Sequence, residues 1–270
     1  MSLRRLYKAP HGQKNILSEY NPDGNVRVKL DEKAAKKQFN KHVKQITHLQ
    51  RLLYAQHKQK LLLIFQAMDT GGKDGTIRNV FNGVDPHGIR VISFKAPTQQ
   101  ELDRDYLWRI HQHVPAKGEI VIFNRSHYED VVTVGARALQ PQAVWEKRYD
   151  HINDFERMLT DEGCTILKFF LHISRDEQKM RLKSRLDTPK KHWKFEQADL
   201  EARELWNEYL HGYNEAIEKT STSWAPWYVI PSNNKWFRNW LVSGIILETL
   251  THLDLDYPEL DFDPSMIEVH

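Results

Sequence analysis

The chain has 270 residues, 40% apolar and 28% charged, with eight tryptophans, one cysteine and a formal net charge of +3. That composition supports one large core and excludes a disulfide scaffold and a uniformly basic nucleic-acid binder. No apolar run approaches the ~20 residues of a membrane span, and the charged N-terminus has no apolar leader, so a single soluble, cytoplasmic domain over 1–270 is expected.

Residues 1–30 carry Pro10, Gly12, Pro22 and Gly24 and read as an arm lying over the body. Asp31 is placed to cap a helix whose apolar stripe is Phe39, Val43, Ile46, Leu49 and Leu53. Lys33, Lys37, Lys41 and Lys44 occupy another face, either plainly solvated or part of a path for a polyanion. The run 61–65 (LLLIF) then reads as a buried strand and leads directly into AMDTGGKDGT, 67–76. Gly71, Gly72 and Gly75 let the backbone turn and approach an anion closely. Lys73 adds a point charge, Asp74 and Thr76 lie within the same turn, and a helix starting near 74–77 aims its positive end at the same place. This is a phosphate cradle. It meets only the second half of the P-loop pattern, since Ala67 replaces the first glycine and Asp74 stands where Ser or Thr would bind magnesium. The competing reading is a strand ended by a glycine turn with a solvated lysine.

Further strands are predicted at 89–94, 120–123, 166–173 and 227–230, with helical segments between them. Alternation of this kind implies a mostly parallel sheet covered by helices, with the ligand at the carboxyl ends of the strands. Thr98 with Glu101, and Ser174 with Glu177, match capping boxes, and Pro141 opens a helix that Gly163 ends. The strand 120–123 ends in NRSHYED, 124–130. A P-loop enzyme brings an acid to its metal at such a place. Here the position is Asn124, so the anionic ligand must come from Asp69, Glu129 or Asp130, while Arg125 supplies a fixed guanidinium or simply pairs with Glu129 or Asp130.

After Ser174, Arg175, Arg181 and Arg185 are followed by Lys190, Lys191, His192, Trp193 and Lys194 around a proline turn. Arg181 and Arg185 are one helical turn apart and are expected to face one ligand together. The alternative is an exposed basic loop. The histidine pairs His111/His113 and His42/His48 lack zinc spacing, His127 reads as a packed strand-end residue, and Cys164 reads as a buried thiol without a role. Residues 254–270 form an acidic tail. The aromatic residues make no interleaved stacking surface, which argues against nucleic acid.

AMDTGGKDGT and IVIFNRSHYED, with DYLWRIHQHVPAKGE between them and WAPWYVIPSNNKWFRNW near the end, closely resemble the polyphosphate kinase 2 family, specifically its class III, from about Leu49 to Leu250. The resemblance implies a three-layer αβα P-loop kinase fold with a parallel five-stranded sheet and a helical lid over about 175–200. It implies transfer of a terminal phosphoryl group from inorganic polyphosphate to AMP and ADP, with magnesium, in an enzyme that tends to form homo-oligomers. Whether guanine nucleotides compete is left open. Asp69, Lys73 and Thr76 fall on the family's Walker A segment, and Asn124 and Arg125 on its Walker B segment, where many relatives carry Asp in place of Asn124. On this basis Asp69, Lys73, Arg125, Arg181 and Arg185 are expected to act in catalysis. Gly71, Gly72, Lys73, Asp74, Gly75, Thr76, Lys190, Lys191 and Lys194 are expected to bind phosphate. Asn124, Arg125, Glu129 and Asp130 are expected to bind the nucleotide, and Asp69, Asn124, Glu129 and Asp130 the metal. An ATP-dependent nucleoside monophosphate kinase and a non-catalytic polyanion-binding module are the alternatives.

Overall fold

Apolar runs become the inner strands, because a parallel sheet covered on both faces needs apolar residues at nearly every position and not only at alternate ones, while the edge strand at 89–93 stays only partly buried. A computed structural model describes residues 2–24 and 27–269, so positions 1, 25 and 26 of the arm and 270 of the tail lie outside the described residues. In chain order the elements are α1 (Leu3–Tyr7), α2 (Glu32–Gln56), β1 (Lys60–Ala67), α3 (Lys73–Val80), β2 (Ile89–Ser93), α4 (Gln99–Leu102), α5 (Trp108–His111), β3 (Ile120–Asn124), α6 (Glu129–Ala136), α7 (Gln142–Trp145) and α8 (Arg148–Asp161). They continue with β4 (Cys164–His172), α9 (Arg175–Asp187), α10 (Ala198–Glu204), α11 (Trp206–Thr220), β5 (Trp227–Pro231) and α12 (Lys235–Thr251).

The sheet order is β2-β3-β1-β4-β5, parallel throughout. Leu61 pairs with Ile120 on one side of β1 and with Thr165 on the other. The path runs from β1 to one edge of the sheet and later to the other, which makes β1 the point where the order reverses and places a crevice at its carboxyl end. One helical layer contains α2, α3 and α12, and the other contains α6, α8 and α11. The three-layer architecture expected from the sequence is therefore present.

Local chemistry explains most element ends. Asp31 caps α2, its carboxylate accepting from the Ala34 N–H at 2.8 Å, and Thr98 with Glu101 forms the full reciprocal box. Ser174 forms only half of one. Its hydroxyl accepts from the Glu177 N–H, but the Glu177 carboxylate accepts from Arg181 Nε at 2.7 Å. The helix predicted from Pro141 to Gly163 is broken into α7 and α8. In the described part of the arm Tyr7, Ile16, Leu17 and Tyr20 are buried. The lysine stripe of α2 is exposed. Cys164 is a buried free thiol whose pKa burial pushes up to about 12. No helix among the described residues is long and apolar enough to cross a membrane.

Candidate active site

The segment between β1 and α3 is held in shape from behind. Arg181, on α9, donates through Nη1 to the carbonyls of Thr70 and Gly71, both at 3.0 Å. Its Nη2 reaches the carbonyl of Ser232, just past β5, at 2.6 Å. Gln178, also on α9 and buried, donates to the Asp69 carbonyl at 3.1 Å, and its own oxygen accepts from Arg203 on α10. The loop needs this bracing because it contains left-handed backbone: Thr70 has φ +62° and Gly72 φ +100°. A non-glycine residue there costs about 1–2 kcal/mol.

Gly72 is constrained twice over. A Cβ at this position would lie 2.1 Å from Arg238 Nη1. Gly83 has a similar φ of +83° but open space around it. Gly72→Ala is therefore expected to destabilise the protein by about 1–3 kcal/mol and to cut activity, whereas Gly83→Ala incurs only the backbone term of about 1 kcal/mol. Urea denaturation of both variants measures the difference, and equal midpoints would show that Arg238 gives way freely.

The loop's charges face the end of β3. Lys73 Nζ donates to the Ala67 carbonyl at 3.4 Å. Burial pushes its pKa down, Arg125 adds to the effect, and Asp69, Glu129 and Asp74 offset only part of it. Arg125, with φ +63°, donates to Asp69 Oδ1 at 3.2 Å. Burial opposes its charge, but Glu129 and Asp69 outweigh burial and hold the guanidinium above its ordinary range. Asn124 Nδ2 donates to Asp74 Oδ1 at 2.6 Å, tying the end of β3 to the first turn of α3.

Beside these charges opens a cavity of about 770 Å³, walled by Asp69, Arg125, Glu129, Asp130, Tyr106 and Arg137 among others, with Asp199 and Ala202 of α10 also in its wall. That volume is in the range of pockets that enclose a molecule the size of a nucleotide. Asp130 faces Arg109 at 3.5 Å and Arg148 at 3.7 Å, while burial raises its pKa despite both arginines. Glu129 Oε2 accepts from Thr133 Oγ1 at 2.7 Å.

The structure thus gathers Asp69, Lys73, Asp74, Asn124, Arg125 and Glu129 at one end of the sheet. It does not bring Arg181 and Arg185 onto one ligand. Arg181 is spent on backbone carbonyls of the loop, and Arg185 donates to the Lys194 carbonyl at 2.7 Å and to Asp199 at 2.9 Å, closing the turn between α9 and α10. Lys190 and Lys191 are exposed and Lys194 is half-buried over Trp193, all outside the cavity lining. Sequence reasoning missed Gln178 and Arg238. The signal for Arg238 was present, since it is the one charged residue inside the mostly apolar stretch WFRNWLVSGIIL.

Magnesium usually takes one or two carboxylates and completes its shell with water and phosphate oxygens. Among the described residues no three His, Cys, Asp or Glu side chains converge on one point. Asp69, which meets a single arginine through Oδ1, and Asn124, whose amide nitrogen is the atom turned to Asp74, fit that sparse arrangement. Asp130 sits between two arginines and Glu129 is engaged by Thr133, so both fit a cation less well.

The family model described as Polyphosphate kinase 2 (PPK2) matches residues 29–258. The AMP/ADP-polyphosphate phosphotransferase of Meiothermus ruber is 58% identical over 243 residues, which is 90% of this chain and 91% of that protein. The ADP-polyphosphate phosphotransferase of Rhodopseudomonas palustris is 44% identical over 229 residues, 80% and 79% of the two chains. The crystal structure of Polyphosphate Kinase 2 from Arthrobacter aurescens TC1 superposes with a TM-score of 0.94 at 40% identity, covering 98% of this chain and 94% of that one.

Proposed function

We infer the reaction from the family: the chain belongs to the polyphosphate kinase 2 family, and the function its site supports best is transfer of a terminal phosphoryl group from inorganic polyphosphate to AMP and ADP, forming ADP and ATP. The observation that carries this is the braced loop 69–76 with Lys73, opening at the carboxyl end of the central strand onto an arginine-walled cavity.

The acceptor is a nucleotide phosphate, already anionic, so the site needs positioning and positive charge more than a general base. The acceptor nucleotide occupies the cavity, with its phosphate toward Arg125. The donor phosphate meets the loop N–H groups at the start of α3 and the Lys73 ammonium. Asp69 orients Arg125 through their 3.2 Å hydrogen bond. Arg181 and Gln178 act one step back, keeping the loop carbonyls turned away from the anion. The lid segment, with Asp199 in the cavity wall, closes over the reacting groups and excludes water. Asp69 and Asn124 would hold magnesium, which when bound would neutralise charge on the transferred group. The enzyme acts in the cytoplasm as a homo-oligomer on adenine nucleotides, with guanine nucleotides as competitors to be measured and nucleic acid not a partner.

Product analysis of purified protein with magnesium and AMP, and separately ADP, with and without long-chain polyphosphate tests the reading. ATP is expected from both, and only when polyphosphate is present. Product from ATP alone as donor would point to an ordinary nucleotide kinase, and binding without turnover to a polyanion module.

A further inference from the structure

Strand β1 contains one polar side chain that the site described above leaves unused. Gln66 is fully buried in a run that is otherwise apolar from Leu61 to Ala67, and it does not line the cavity. A buried amide is unfavourable unless its donors and its acceptor are met. The orientation that meets them has Nε2 donating to Glu129 Oε1 at 2.9 Å and Oε1 accepting from the Ser126 N–H and hydroxyl, both at 3.2 Å. The reverse orientation would set the amide oxygen against the Glu129 carboxylate. The Tyr213 hydroxyl of α11 lies 3.3 Å from the amide and donates to the Ala67 carbonyl at 3.1 Å.

These bonds fall where β3 leaves the sheet. The ladder between β1 and β3 ends with Phe65 opposite Asn124, and Arg125 turns away with φ +63°. The Arg125 N–H still donates to the Phe65 carbonyl at 3.1 Å. One residue further on, the Gln66 side chain stands in for a backbone carbonyl by accepting from the Ser126 N–H, so the peptide groups on both sides of the left-handed arginine are tied to β1. Strained backbone of this kind persists where its surroundings over-determine it. The same amide fixes a carboxylate. Glu129 is held through Oε1 by Gln66 and through Oε2 by Thr133 at 2.7 Å, and it sustains the Arg125 charge more strongly than Asp69 does. Lys73 of α3, Asp130 of α6 and Tyr213 of α11 are the other ionisable groups on which Glu129 acts.

We propose that Gln66 is a positioning residue of the transfer reaction: by holding Glu129 and the Ser126 N–H, its amide aims the Arg125 guanidinium at the phosphate of the acceptor nucleotide. The proposal rests on the polyphosphate-kinase reading above. Gln66 touches neither substrate and acts through Glu129 and Arg125, both in the cavity wall. The donor phosphate meets the loop N–H groups and Lys73, so its binding is indifferent to this amide.

The test uses the full chain with AMP and long-chain polyphosphate and measures KM for each. Q66L is expected to raise KM for AMP about tenfold, the size of one lost hydrogen bond to a charged group, and to leave KM for polyphosphate within about twofold of wild type. In an E129Q background the same substitution is expected to add less than about twofold to KM for AMP, because the carboxylate through which Gln66 acts is already gone. A thermal melt checks folding. Q66E keeps an acceptor for Ser126 but sets two carboxylates against each other, and Q66E/E129Q restores one amide and one carboxylate. The double variant is expected to show a lower KM for AMP than Q66E, and this comparison decides the matter if Q66L does not fold. An unchanged KM for AMP in Q66L, equal rises in both KM values, Q66L and E129Q effects that multiply, or a double variant no better than Q66E would each overturn the positioning role alone. Wild-type protein without polyphosphate-dependent turnover would overturn the functional reading and the positioning role with it.

Discussion

Replacing Lys73 with alanine is expected to lower kcat/KM by about two to three orders of magnitude, the loss typical of removing one preorganised charge contact to the reacting group. The unliganded geometry explains why the effect is large. Burial and the neighbouring Arg125 both disfavour the ammonium, and among the described residues its one hydrogen bond is a 3.4 Å contact to the Ala67 carbonyl. An arriving phosphate relieves this unfavourable state, so the lysine gains more from the anion than a solvated lysine would. Arg125 has carboxylate neighbours that sustain its charge without substrate. Lys73→Ala should leave the fold intact, since the Ala67 carbonyl that loses the long ammonium contact still accepts from the Tyr213 hydroxyl at 3.1 Å. Steady-state kinetics on a variant with an unchanged urea midpoint is the measurement, and turnover near wild type would remove Lys73 from the reaction.

The largest effect on stability is expected far from the loop, at Lys168. This residue lies on β4 with its ammonium fully buried, paired with Glu156 of α8 and donating to the Tyr128 hydroxyl at 2.8 Å and the Thr220 carbonyl at 2.7 Å. The same carboxylate accepts from Tyr128 at 2.9 Å and lies 3.3 Å from His127. Burial lowers the Lys168 pKa to about 8 while Glu156 opposes the shift. Lys168→Ala would leave a buried carboxylate without its counter-ion and is expected to destabilise the protein by about 3–5 kcal/mol. Replacing both members with apolar residues of similar volume should lose far less, because the uncompensated charge then disappears. Urea denaturation of the single and double variants distinguishes these outcomes. A single variant within about 1 kcal/mol of wild type would mean that His127 takes over as the counter-ion.

Lys168 also shows where reading the chain stops. The run 166–173 is recognisable as a strand from its apolar residues, and a lysine within it would ordinarily be assigned to solvent. A parallel sheet with helices on both faces has no solvent side, so the charge had to find partners on α8, α11 and the start of α6, none of them near in sequence. The same limit applies to Arg181. Its spacing from Arg185 was legible, but its target was not, because the carbonyls it grips belong to segments some 50 and 110 residues away. Strands, the glycine loop and the caps at Asp31 and Thr98 are local features and could be read locally. The break between α7 and α8 could not, because no proline or glycine marks it.

The bracing of the loop has a consequence for the newly synthesised chain. Strand β1 is complete only when β3 and then β4 have paired with it, and the glycine turn is gripped only once Arg181 and the residues after β5 exist. Arg238 comes later still. A polypeptide emerging from the ribosome therefore displays its whole glycine-rich loop sequence long before it can give that loop a shape. Phosphate-binding competence should appear abruptly near the end of translation, as the last strand and α12 dock.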